Sequence, residues 1–127
     1  MNIPTHYLRN GSIAVIDSGI GGVTVLSELI KLMPYESYIY FVDLKNSPYG
    51  EKSTDKVKEL TFSNVDMLIN KGAKAIVIAC NTATGAAAKE LREKYPDVPV
   101  IGIEPAIKPA VTTCPQKHVI IMATPLT

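Results

Sequence analysis

Three polar segments, each following an apolar run, hold most of this sequence's chemical potential: "DSGIGG" at 17–22, "DLKNSPYGEKS" at 43–53 and "CNTATG" at 80–85. Cys80 closes the run "AIVIA", and Asn81 and Thr82 open a helical pattern. A thiol at a helix N-terminus feels the positive end of the helix dipole, which favours the thiolate form. The side chains and amides of Asn81 and Thr82 can bind a carboxylate beside it. An isolated free cysteine is more often a small buried hydrophobe; the Asn-Thr that comes next at a strand-to-helix junction favours function over packing.

"DSGIGG" fits no nucleotide-binding spacing. G-x-G-x-x-G begun at Gly19 requires glycine where Thr24 stands, and G-x-x-x-x-G-K-[ST] is absent. Two readings are open for its glycines: free amides at a helix N-terminus that suit an anion, or close strand–helix packing. Asp17 favours the former, because a carboxylate facing a cleft needs a cationic or protonatable partner, such as a substrate ammonium. In "SPYGEK" the proline sets a turn. The amides there and the Tyr49 hydroxyl can close over a small ligand, and an ordinary surface turn is the alternative. Cys114, in "TTCPQ", is incidental, and His6 and His118 lack the company a metal ligand needs, so no metal site is expected.

The elements that position these segments follow from periodicity. "SIAVID" (12–17), "YIYFVD" (38–43), "AIVIA" (75–79) and "VPVIGI" (98–103) read as buried strands. "HVIIMAT" (118–124) reads as a fifth. Leu26, Leu29, Ile30 and Met33 at i, i+3, i+4 and i+7 predict an amphipathic helix ended by Pro34. A second helix over 54–70 puts Val57, Thr61, Val65 and Leu68 on one side, and Gly72 suits its left-handed cap. "ATGAAAKELREKY" is a third helix, while Pro105 and Pro109 limit "EPAIKPAV" to a short or irregular one. Continuous apolar strands alternating with helices indicate an α/β fold, a parallel sheet flanked by helices, with ligands gathered at the strands' carboxyl ends. The last strand comes after a proline-rich joint and lacks a returning helix, so the chain is expected to be C-terminally truncated.

Length and composition agree with one domain of ordinary size. The 127 residues are 46% apolar and 20% charged, with a formal net charge of +1, which gives no reason to expect nucleic acid or an anionic membrane as partner. No apolar run approaches the ~20 residues that span a bilayer. No signal peptide is visible, and two cysteines are too few for a disulfide framework, so reduced thiols in a cytoplasm are expected.

Together "IAVIDSGIGGVTVL", "PYGEKS", "VIACNTAT" and "VIGIEPAIKPAV" resemble glutamate racemases, of the cofactor-independent aspartate/glutamate racemase superfamily. "CNTA" is shared across that superfamily, whereas "DSGxGGxTVL" with "PYG" is narrower. The resemblance implies a flavodoxin-like or Rossmann-like half of a two-domain racemase, with a tail at 1–11, an α/β domain at 12–104, and at 105–127 a linker and the first strand of an otherwise missing second domain. It implies interconversion of L- and D-glutamate for peptidoglycan by two cysteines on opposite faces of the substrate Cα, without cofactor. By motif, Cys80 matches the cysteine that works on the D-enantiomer, with Asp17 assisting its proton transfer. Asp17, Ser18, Tyr49, Gly50, Asn81 and Thr82 match substrate-binding positions, and Thr124 resembles a strand-end threonine near the same cleft.

Two departures stand out. "VDLKNSPYG" has Leu44 where the family commonly has threonine, and no "CTHYP"-like segment supplies the second cysteine. A chain with half the site is expected to be inactive in racemisation alone, and to expose an apolar face that favours a homo-oligomer or a missing C-terminal half as partner. The alternative is a non-catalytic module that binds a dicarboxylic amino acid or docks a partner.

Overall fold

The computed structural model describes residues 10–113 and 118–126. Four strands, β1 (Ser12–Asp17), β2 (Tyr38–Val42), β3 (Ala73–Ile78) and β4 (Val100–Gly102), form one parallel sheet in the order β2-β1-β3-β4. Helices α1 (Gly22–Leu32), α2 (Thr54–Asn70) and α3 (Asn81–Lys94) alternate with them, and a short α4 (Ile107–Thr113) comes after β4. From β1 the chain steps outward to β2, then crosses back to β3 on the other side of β1. Strand order therefore reverses between β1 and β3, and a crevice forms there at the carboxyl ends of the strands.

Side chains alternate along β1. Ile13 and Val15, with Val77 of β3, face α1 through Val25, Leu26 and Leu29. Ala14 and Ile16, with Ile76 and Ile78, face α2 and α3. The second face is the thicker one. Val57, Thr61, Val65 and Leu68 of α2 are all buried, as their spacing predicts, and Gly72 takes φ +89° after the last turn. Ala83, Ala86, Ala87 and Ala88 let α3 lie close to the sheet, with Leu91 fully buried beyond them.

Several boundaries differ from the sequence reading. β3 begins two residues earlier, at Ala73, and β4 is only three residues long, whereas the third helix starts at Asn81, where Asn81 and Thr82 are expected to open it. Ile30 and Met33 are exposed, and the stripe that packs is Val25, Leu26 and Leu29. α1 packs over Ile13, Val15 and Val77 and meets β2 through Tyr38 and Tyr40, with the Tyr38 hydroxyl donating to the Leu29 carbonyl at 2.9 Å. The predicted fifth strand does not form: residues 118–124 carry no ladder pairing, and Val119, Ile120, Ile121 and Met122 are exposed. An apolar run becomes a strand only where an edge receives its backbone, and here the run lies outside the sheet. His6 and Cys114 fall outside the described residues. Among the described residues, no helix is long and apolar enough to cross a membrane.

Candidate active site

The crevice at the reversal point receives its chemistry from the ends of β1, β2 and β3. Cys80 is the N-cap of α3, and its Sγ accepts from the Ala83 amide at 3.4 Å. Ser18, just past β1, brings its Oγ to 3.3 Å from the same sulfur. Two residues 62 apart in sequence thus meet because β1 and β3 are adjacent.

Asp17 has partners the sequence reading did not foresee. Its Oδ1 accepts from the Ser18 amide and its Oδ2 from the Gly22 amide, each at 2.7 Å. The anion bound by this glycine turn is the chain's own carboxylate, at the N-terminal end of α1 where the dipole favours negative charge. Close packing holds at the same turn: a Cβ on Gly22 would stand 3.0 Å from Ala79 Cβ and from Asp17 Cβ. Tyr40 adds a tether, its hydroxyl donating to the Gly19 carbonyl at 3.4 Å, and burial first, then the Asp17 charge, raise its pKa.

Residues 43–53 are more ordered than a surface turn requires. Two 3-10 turns, Leu44–Asn46 and Tyr49–Glu51, flank a cis Ser47–Pro48 peptide and bury the Tyr49 ring. The Tyr49 hydroxyl donates to Asp43 Oδ2 at 2.7 Å and accepts from Asn64 Nδ2 at 3.2 Å. It is therefore engaged by the protein, and Tyr49 contributes its ring to the pocket wall. Burial and the bond to Asp43 push the Tyr49 pKa far above the ordinary tyrosine range. For Asp43, burial alone would raise the carboxyl pKa; the donors Tyr49, Asn46 and Asn64 outweigh it and hold the group below the usual carboxylate range.

Ile16, Asp17, Ser18, Tyr49, Thr61, Asn64, Cys80 and Ala83 line one pocket of about 10 Å³. That volume holds about one water, so among the described residues this is the floor of a site. Of the expected residues, Cys80, Asp17, Ser18 and Tyr49 converge on it. Gly50, Thr82 and Thr124 form a second group alongside. Thr82 Oγ1 lies 3.0 Å from Thr124 Oγ1, and a Cβ on Gly50 would stand 2.5 Å from Thr124 Cγ2. Thr124 thus reaches the cleft although its predicted strand is absent. Asn81 is set apart, exposed and lining a different cavity of about 290 Å³ with Pro105, Ala106 and residues 119–123.

The sequence reading missed Thr61 and Asn64 in the pocket wall, and Asp43 and Asn46 behind Tyr49. Two signals were present. Asp43 ends "YFVD" as Asp17 ends "AVID", and Asn64 interrupts the buried stripe of α2, where a polar residue requires hydrogen-bond partners.

The family model for Asp/Glu/Hydantoin racemase matches residues 13–127. The chain is 58% identical over 120 residues to the glutamate racemase of Clostridium acetobutylicum, covering 94% of this chain and 47% of that protein. It is 54% identical over 120 residues to that of Clostridium perfringens, covering 94% and 46%. Among solved structures it resembles glutamate racemase from Francisella tularensis in complex with D-glutamate, at TM-score 0.76 and 36% identity, covering 92% of this chain and 44% of that one. It also resembles the Escherichia coli enzyme in complex with L-glutamate and the activator UDP-MurNAc-ala, at TM-score 0.75 and 40% identity, covering 81% and 39%. The chain spans about half the length of the curated relatives it matches. The cysteine-centred crevice, the parallel sheet and these likenesses together establish that the chain belongs to the Asp/Glu/Hydantoin racemase family.

Proposed function

We propose that this chain carries one face of a glutamate racemase active site, with Cys80 as the acid–base group for D-glutamate. The observation that carries the reading is the Cys80 sulfur, 3.3 Å from the Ser18 hydroxyl in a pocket that Asp17 also lines. In its thiolate form the sulfur takes the α-proton, becoming a thiol and leaving the electron pair on Cα. The Ser18 hydroxyl steadies the charged sulfur and withdraws as the proton arrives. An amino-acid Cα–H is a very weak acid, so preorganised donors are needed to stabilise the carbanion.

Asp17 is fixed in place by the Ser18 and Gly22 amides, and assists the proton transfer from that rigid position. Ser18, Gly50, Thr82 and Thr124 hold the substrate, together with the Tyr49 ring, while Asn81, expected to join them, lines the neighbouring cavity. The reaction is proposed to need no cofactor, to proceed in the cytoplasm and to supply D-glutamate for peptidoglycan. Inversion requires a second cysteine on the opposite face of Cα, because a proton returned by Cys80 alone regenerates the same enantiomer. Residues 12–104 are proposed as the α/β domain bearing this half-site, with 105–127 leading toward the remainder of the site.

The test is α-proton exchange in D₂O with D- and L-glutamate supplied separately. Deuterium uptake into D-glutamate alone, abolished by Cys80→Ser, is the expected result. Exchange with inversion of both enantiomers would mean that a second acid is present in this chain. No exchange, with glutamate binding retained after Cys80→Ala, would instead identify a binding module.

A further inference from the structure

We infer that Asp43 and Asn64 are positioning residues that act through Tyr49, fixing its ring as a wall of the Cys80 pocket. The inference rests on the reading of that pocket as a glutamate half-site and extends it to residues behind the wall.

Asp43 is 6% exposed, and no cation pairs with it among the described residues. Its carboxylate accepts instead from four neutral contacts. These are Tyr49 Oη at 2.7 Å, Asn46 Nδ2 at 2.9 and 3.0 Å to the two oxygens, and Asn64 Nδ2 at 3.3 Å. Hydrogen bonds to an ionised acceptor are the stronger kind, and here they all hold one short segment. The hub itself is anchored: the Asp43 amide donates to the Asp17 carbonyl at 3.0 Å, continuing the β1–β2 ladder to the strand ends. Asn64 bonds both Asp43 and the Tyr49 hydroxyl, and it also lines the pocket. Both Asp43 oxygens, the Tyr49 hydroxyl and the Asn64 amide nitrogen are thereby used, and the ring has one seat. Gly50 is the residue after Tyr49, so the same seat sets the contact between Gly50 and Thr124.

Replacing the hub carboxylate by an amide puts an NH2 among the NH2 groups of Asn46 and Asn64, removing an acceptor where donors converge. Asp43→Asn should therefore free the ring and uncover Cys80. The test is the rate of Cys80 alkylation by iodoacetamide, read by peptide mapping, in wild type, Asp43→Asn, Tyr49→Phe and the double variant. Asp43→Asn should speed alkylation about tenfold, the size of one lost charge-assisted bond. In the Tyr49→Phe background it should add less than about twofold, because residues that act as a unit are not additive. Equal acceleration in both backgrounds, or none in Asp43→Asn, overturns the inference. If Asp43→Asn fails to fold, Asn64→Ala takes its place in the same cycle. D-Glutamate exchange provides the second reading: the half-saturating concentration should rise more than the saturated rate falls. Absence of exchange in wild type would remove the half-site proposal, while the alkylation cycle would still decide the role of Asp43.

Discussion

Asp17 and Asp43 are near twins in sequence and opposites in structure. Each stands after a valine or isoleucine at the end of an apolar strand, and the Asp43 amide is bonded to the Asp17 carbonyl. Yet Asp17 gives both oxygens to backbone amides, whereas Asp43 gives both to side chains. The path of the chain beyond each strand makes the difference. After β1 the chain turns directly into α1, so the nearest donors are the unbonded amides of a helix start. After β2 it makes two short turns that return an asparagine and a tyrosine to the carboxylate, and α2 adds Asn64 from across the crevice. One aspartate anchors a helix; the other organises a wall.

Removing each carboxylate should separate the two roles most strongly. Asp43→Ala leaves the buried Tyr49 hydroxyl and two amide groups short of an acceptor, and should cost about 3 kcal/mol in urea unfolding. Asp17→Ala loses two backbone bonds at a partly exposed helix start, and should cost about 1–2 kcal/mol, in the range of lost helix caps. The reverse order would show that the anchor matters more than the wall.

Acid should sharpen the contrast further. The folded state holds the Asp43 carboxyl below its unfolded value, so between the two values the unfolded chain binds more protons. Asp43's contribution is then complete above the unfolded value of about 4 and is lost as pH falls through the lower folded one. The stability gap between wild type and Asp43→Asn should accordingly narrow on acidification from about pH 6 to about pH 2. A gap that stays constant would mean that the carboxylate's charge is irrelevant to the wall.

Gly50→Ala tests the smallest part of the comparison, the turn beyond Tyr49. The new Cβ would stand 2.5 Å from Thr124 Cγ2, so Thr124 must move and its bond to Thr82 must weaken. A loss of about 1 kcal/mol is expected, with acid sensitivity unchanged, because Asp43 keeps its donors. A change in the acid profile would show that the Thr124 contact and the wall form one unit.

Much of this architecture was legible from local pattern. The extent of β1, the full span of α2 and its four buried positions follow from residue spacing, and the left-handed Gly72 follows from its place after the last turn. Cys80 could be assigned a helix-start position because its neighbours carry the same signal. The packing of α1 was not legible. Ile30 and Met33 have helical spacing, but whether a spaced residue is buried depends on how much sheet lies beneath it. Residues 118–124 teach the same lesson for strands, since their apolar run meets every local criterion and lacks only a ladder partner.

Alone, the sequence determined the four strands of the sheet and the helices between them, that the sheet is parallel, and that a cysteine, an aspartate and a tyrosine stand near strand ends. Those outcomes depend on periodicity and chain punctuation, which act over a few residues. Only the tertiary structure decided that Ser18 meets Cys80, that Asp17 closes on its own helix, and that Asp43 and Asn64 seat Tyr49. Hydrogen bonds across 21 or 62 residues depend on strand order, and strand order is chosen by the burial of the whole sheet rather than by any segment within it.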